Sequence, residues 1–102
     1  LYTFDVVGGR YEEQDYATTG SGGAEAKSFI KTVHDPDMDE AAALRAAIEA
    51  LIAAAEEDAA TGGPDLRREI YPNVVTVTRS GFTEIGEDRI AGIAAEALEA
   101  RP

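Results

Sequence analysis

The sequence predicts an α+β unit in which antiparallel hairpins are covered by helices. Three observations lead there: a period-2 opening segment broken by Gly8-Gly9, Ala-rich segments with apolar residues at helical spacing, and a β-branched stretch before Ser80-Gly81. The order reads ββ-α-α-ββ-α. No linker, repeat or low-complexity tract interrupts it, so residues 1–102 form a single unit.

From Leu1 to Val7, Tyr2, Phe4 and Val6 alternate with Thr3, Asp5 and Val7, the pattern of a strand with one face more buried. Gly8-Gly9 reads as a two-residue hairpin turn, because favoured hairpin turns need positive φ and glycine supplies it without a clash. Arg10 to Thr18 is the returning strand. Its Glu12, Glu13 and Asp15 put one face in solvent or at a subunit surface.

Thr19-Gly20-Ser21-Gly22-Gly23 ends that strand and leads into a helix from about Gly22 to His34, with Ala26, Phe29, Ile30 and Val33 on one face. Asp35-Pro36-Asp37 breaks it. Asp37 followed by Glu40 matches a capping box that would start a second helix, which runs to about Asp58. Leu44, Ile48, Leu51 and Ile52 form its apolar stripe, and the alanines between them allow close packing against a sheet or helix.

Thr61-Gly62-Gly63-Pro64-Asp65 cannot continue a helix and reads as an ordered loop. Asn73 to Thr78 is dominated by β-branched residues, as suits a buried strand, and Ser80-Gly81 turns it into a short strand around Phe82 to Ile85. A last helix places Ile90, Ile93, Ala97 and Leu98 on one face.

Composition narrows the function. Nine basic residues against twenty acidic ones give a net charge of −11, the wrong sign for clamping phosphates or anionic lipid, so nucleic acid and membrane surfaces are poor partners. There is no cysteine, hence no disulfide framework, thiolate metal site or thiol nucleophile. The most apolar stretch, Ala41 to Ala55, carries Arg45 and Glu49 and falls short of the roughly 20 apolar residues that span a bilayer. At 102 residues the unit buries only about two-thirds of its unfolded surface. Its opening on Leu1 rather than Met is what a processed or truncated product would show.

Single motifs are bland. Asp35, Asp37 and Asp39 alternate like the start of a calcium loop, but the sixth position is Glu40 where that loop needs Gly, and the twelfth is Ala46 where it needs Glu. Helix capping is the better reading, and neither a metal nor a cofactor is expected. His34, the sole histidine, reads as a surface residue near a helix end. The turn around Ser21 fits neither a phosphate loop, since no Gly-Lys-Ser/Thr follows, nor a nucleophile elbow, which needs Gly where Thr19 stands. Asp58 falls at the unfavourable end of a helix dipole and calls for a specific partner.

In combination the pieces are specific. The Gly-Gly hairpin, Thr19-Gly-Ser-Gly-Gly23 entering a helix, the Ala-rich helix ending in Asp58-Ala-Ala-Thr61-Gly62-Gly63-Pro64-Asp65, and Ile70-Tyr71-Pro72 before a Val/Thr strand closely resemble the carboxyl-terminal half of an actinobacterial-type 20S proteasome β subunit. The likeness runs from about Phe4 to Arg101.

That resemblance implies the four-layer αββα sandwich of amino-terminal-nucleophile hydrolases and threonine-type endopeptidase activity inside a chamber of stacked rings. In that family the hydroxyl of the mature subunit's first threonine attacks, its own α-amine is the base, and an Asp and a Lys of the first half assist. None of these can be assigned here: Leu1 is no nucleophile, and Lys27 and Lys31 both lie in the first helix. The resemblance does carry over a supporting shell. Ser21 matches the serine beside the nucleophile's amine, Asp58 the carboxylate bonded in the same cluster, and Thr61 the hydroxyl three residues on. Gly20, Gly22 and Gly62 would let backbone approach that shell.

The implied partners are other β subunits in a homo-oligomeric ring, proteasome α subunits, unfolded protein and, indirectly, an ATP-dependent unfoldase, all in the cytoplasm. The chain alone is expected to be inactive. Two alternatives stand beside this reading: a non-catalytic proteasome-like assembly subunit, and an unrelated acidic α+β binding domain. Of these three, a half-subunit should expose sheet edges and apolar faces.

Overall fold

A computed structural model describes residues 2–4, 10–12, 15–20, 22–57 and 71–100. In chain order its elements are β1 (Tyr2–Phe4), β2 (Arg10–Glu12), α1 (Gly23–Val33), α2 (Glu40–Glu57), β3 (Val75–Thr78), β4 (Gly81–Glu84) and α3 (Glu87–Glu99). The expected order ββ-α-α-ββ-α is therefore present. The strands form two separate antiparallel ladders, β1 with β2 and β3 with β4.

The first ladder differs from expectation in register. A two-residue Gly8-Gly9 turn would set Val7 opposite Arg10, whereas Phe4 faces Arg10 and Tyr2 faces Glu12. Glycine admits many turn geometries, so a Gly-Gly pair does not by itself select a loop length. Gly8 and Gly9 lie outside the described residues. The second strand is also shorter than Arg10 to Thr18, ending at Glu12. Residues 15–20 nonetheless keep a strand-like alternation, with Tyr16 and Thr18 half-buried between exposed Asp15, Ala17 and Thr19.

Helix α1 matches its predicted span and closes through the His34 amide, which donates to the Ile30 carbonyl at 2.8 Å. His34 is not a free surface group: it is half-buried, and its ring lies 5.3 Å from that of Tyr16. The capping box at Asp37 does not form. Asp39 caps α2 instead, its Oδ1 accepting from the Ala42 amide at 2.8 Å, while Asp35 Oδ1 accepts from the Asp37 amide at 2.9 Å in a turn. Both residues satisfy backbone donors ahead of a helix, which is why acidic side chains recur there.

Helix α2 is buried on two sides. Leu44, Ile48 and Ile52 recur every four residues and are at most 4% exposed. Ile48 and Ile52 join Ile90, Ala94 and Ala97 of α3 in the main core, with Tyr71, Val74, Ile85, Ile93 and Leu98 packed around them. Ala50 is buried too, yet at 100° per residue it points about 200° away from Ile48. It shares that second side with Ala54, where α1 packs. The alanines thus let α2 serve as a spacer between two helices.

Packing outweighs charge in holding α2 and α3 together. Fully burying an Ile such as Ile48 contributes about 1.5–3 kcal/mol. Arg45 pairs with Glu49 on its own helix, a half-buried contact, while across to α3 it reaches Glu96 at 3.6 Å and Arg89 meets Glu40 at 3.2 Å; these two interhelix pairs are largely solvent-exposed and worth roughly 0–1 kcal/mol each.

The β3–β4 hairpin turns at Arg79-Ser80, one residue before the predicted Ser80-Gly81, because Thr78 pairs with Gly81. Thr78 Oγ1 and Ser80 Oγ lie 2.8 Å apart across that turn, and Gly81 opens β4 at a φ of +119°, a conformation that favours glycine. Nor is β3 a buried strand. Val74 and Thr76 face inward, while Val75, Val77 and, opposite Val77, Phe82 are 48, 78 and 71% exposed.

Candidate active site

The turn that carries Ser21 is built from its neighbours. Gly20 has a φ of +93°, and its carbonyl accepts from the Gly23 amide at 3.1 Å. Gly22 is the N-cap of α1 at φ −92° and ψ 10°, its carbonyl accepting from the Ala26 amide at 3.1 Å. A third bond crosses the turn: Thr18 Oγ1 donates to the Gly23 carbonyl at 2.8 Å. The glycines serve two different needs, positive φ at Gly20 and close approach at Gly22.

That close approach is made to α2. A β-carbon built on Gly22 would fall 2.7 Å from the Ala54 β-carbon. Ala54 lies in the last turn of α2, four residues before Asp58 and seven before Thr61. The residue next to Ser21 and the helical turn preceding Asp58 are therefore in contact. Ser21, Asp58, Thr61 and Gly62 themselves lie outside the described residues. The last turn of α2 has no basic residue, so its carboxyl end brings no cation of its own to Asp58.

Lys27 and Lys31 are exposed on α1. Among the described residues no group of three or more His, Asp or Glu side chains is placed to hold a metal ion, and no helix is long and apolar enough to cross a membrane. A groove of about 530 Å³ lies at the other end of α2, lined by Val33, Met38, Ala42, Arg45, Arg89 and Ile93 among others. Among the described residues its lining holds no hydroxyl, thiol or amine, and its arginines are engaged with Glu49, Glu96 and Glu40.

Thr18 and Ala54 are neighbours of the candidate site that sequence reasoning did not single out. Thr18 read as the last residue of the returning strand, and Ala54 as one residue of an Ala-rich helix. The signal for Thr18 is a hydroxyl close before a glycine turn, where side-chain bonds to backbone compete with a strand ladder.

Comparison with known proteins identifies the chain's relatives. A family described as "Proteasome subunit" matches residues 1–65. The chain is 52% identical over 95 residues to a proteasome subunit beta of Rhodococcus opacus, covering 92% of this chain and 32% of that protein. It is 51% identical over 102 residues to one of Rhodococcus erythropolis (99% and 35%), and 45% identical over 101 residues to one of Acidothermus cellulolyticus (99% and 35%). The chain spans about a third of the length of these relatives.

Proposed function

The chain belongs to the proteasome subunit family, and from that premise we propose that the complete protein is a β-type core-particle subunit, a threonine-type endopeptidase. The observation that carries the reading is the likeness to β subunits over nearly the whole chain. On this reading the two ladders and three helices belong to the four-layer amino-terminal-nucleophile sandwich. The subunit works in the cytoplasm, in a homo-oligomeric β ring stacked on α rings, and hydrolyses unfolded protein delivered by an ATP-dependent unfoldase.

Ser21, Asp58 and Thr61 form the shell that supports the nucleophile. A threonine hydroxyl attacks the peptide carbonyl while the α-amine of the same residue takes its proton, so that amine must be neutral and correctly aimed. Hydroxyls and a carboxylate around it fix its hydrogen bonds and offset the charge that develops when it is protonated. The contact between Gly22 and Ala54 supports this convergence, because it joins the flanks of Ser21 and Asp58. Those three side chains should meet within hydrogen-bonding range.

The test is peptidase kinetics of the complete, assembled subunit on a fluorogenic peptide. Ser21→Ala, Asp58→Asn and Thr61→Val should each lower kcat, by about a hundredfold for Asp58, and combine less than additively because the groups act as a unit. Wild-type kcat in Asp58→Asn removes the shell. An inert wild-type assembly with intact rings points instead to a non-catalytic assembly subunit. The 102-residue chain by itself should show no inhibitor-sensitive hydrolysis.

A further inference from the structure

We propose that Thr18 is a positioning residue for the peptidase reaction: its hydroxyl fastens the turn from Thr18 to Gly23 and thereby orients Ser21. The proposal rests on the reading of Ser21 as part of the supporting shell. Positions 20, 22 and 23 of this turn are all glycine, which leaves the backbone with little stiffness of its own. Its geometry must come from ties to its surroundings.

Three such ties are present. Ala54 blocks Gly22 on one side, the Gly23 amide closes on the Gly20 carbonyl, and the half-buried Thr18 hydroxyl donates to the Gly23 carbonyl at 2.8 Å. Thr18 also packs directly on the start of α1, since a β-carbon built on Gly23 would lie 3.6 Å from Thr18 Oγ1. Upstream, the ring of Tyr16 rests against His34 at the far end of the same helix, so the segment Tyr16 to Thr18 that leads into the turn touches both ends of α1.

The bond matters more to the turn than to the helix. A first-turn helical carbonyl already accepts from the amide four residues on, and its second lone pair is the one the Thr18 hydroxyl uses. Removing the hydroxyl leaves α1 its own ladder and frees the glycine turn. A displacement well below 1 Å at Ser21 is enough to disturb a catalytic constellation. Thr18 touches neither substrate nor nucleophile on this account and acts through Ser21.

A double-mutant cycle in the complete assembled subunit decides it, with kcat, KM and amide exchange as readouts. Thr18→Val, which keeps the shape and removes the donor, should lower kcat about tenfold with KM within about twofold, and speed exchange at Gly22 and Gly23. Thr18→Ser should restore all three. Added to Ser21→Ala, Thr18→Val should cost nothing further. Unchanged kcat in Thr18→Val beside an impaired Ser21→Ala overturns the role of Thr18 alone, as does a full tenfold loss on top of Ser21→Ala. Wild-type kcat in Ser21→Ala overturns the shell and this proposal together. If Thr18→Val does not assemble, Thr18→Ala goes through the same cycle.

Discussion

A β-carbon on Gly22 would lie 2.7 Å from that of Ala54, so the start of α1 and the last turn of α2 meet at a point where Gly22 has no room for a side chain. Gly22 has a φ of −92°, which any residue adopts, so substitution there is penalised by contact alone. The Ala54 β-carbon is fixed to a helix backbone and cannot swing aside. Gly22→Ala should therefore destabilise the fold by about 1–3 kcal/mol, read as a lower midpoint in urea. Ala54→Gly in that background should return part of the loss, less the roughly 1 kcal/mol that glycine costs inside a helix. An unchanged midpoint for Gly22→Ala would show that the two helices are not so tightly apposed.

The start of α2 gives a second prediction, because two aspartates compete for the cap. Asp39 Oδ1 accepts from the Ala42 amide, and the Asp39 carbonyl accepts from the Ala43 amide at 2.9 Å. Among the described residues Asp37 is engaged through its amide alone, which donates to Asp35 Oδ1. Asp39→Ala should lose about 1 kcal/mol, and Asp37→Ala no more than about 0.5 kcal/mol, in parallel denaturation curves. The reverse ranking would reinstate Asp37 as the cap.

The same helix shows what the sequence makes legible. Leu44, Ile48 and Ile52 announce their burial because large apolar side chains at helical spacing have one economical destination. Ala50 and Ala54 say less: alanine between apolar residues permits close packing but is equally at home in solvent, and their contact face is defined only once α1 lies against them. Val75 and Val77 mislead in the opposite direction: β-branching identifies a strand, but which face is covered depends on what lies against it. Ser21, Asp58 and Thr61 are candidates through likeness to a family alone. The apposition of their flanks needed three dimensions.

The outer face of the second hairpin supplies the last prediction. Val77 and Phe82 stand directly opposite one another, 78 and 71% exposed, with Val75 two residues along the same face. Exposed apolar patches of this kind associate, and the net charge of −11 opposes that association by repulsion. Salt therefore separates the two forces, because it screens the repulsion and leaves the apolar attraction intact. In sedimentation velocity the 102-residue chain should self-associate more as ionic strength rises. Val77→Thr with Phe82→Thr keeps strand-compatible side chains and should abolish that rise. The folded state should lose no more than about 1 kcal/mol, the upper range for one cross-strand pair. Salt-driven association that persists in the double variant would move the sticky surface elsewhere, to the groove at the amino end of α2 before any other.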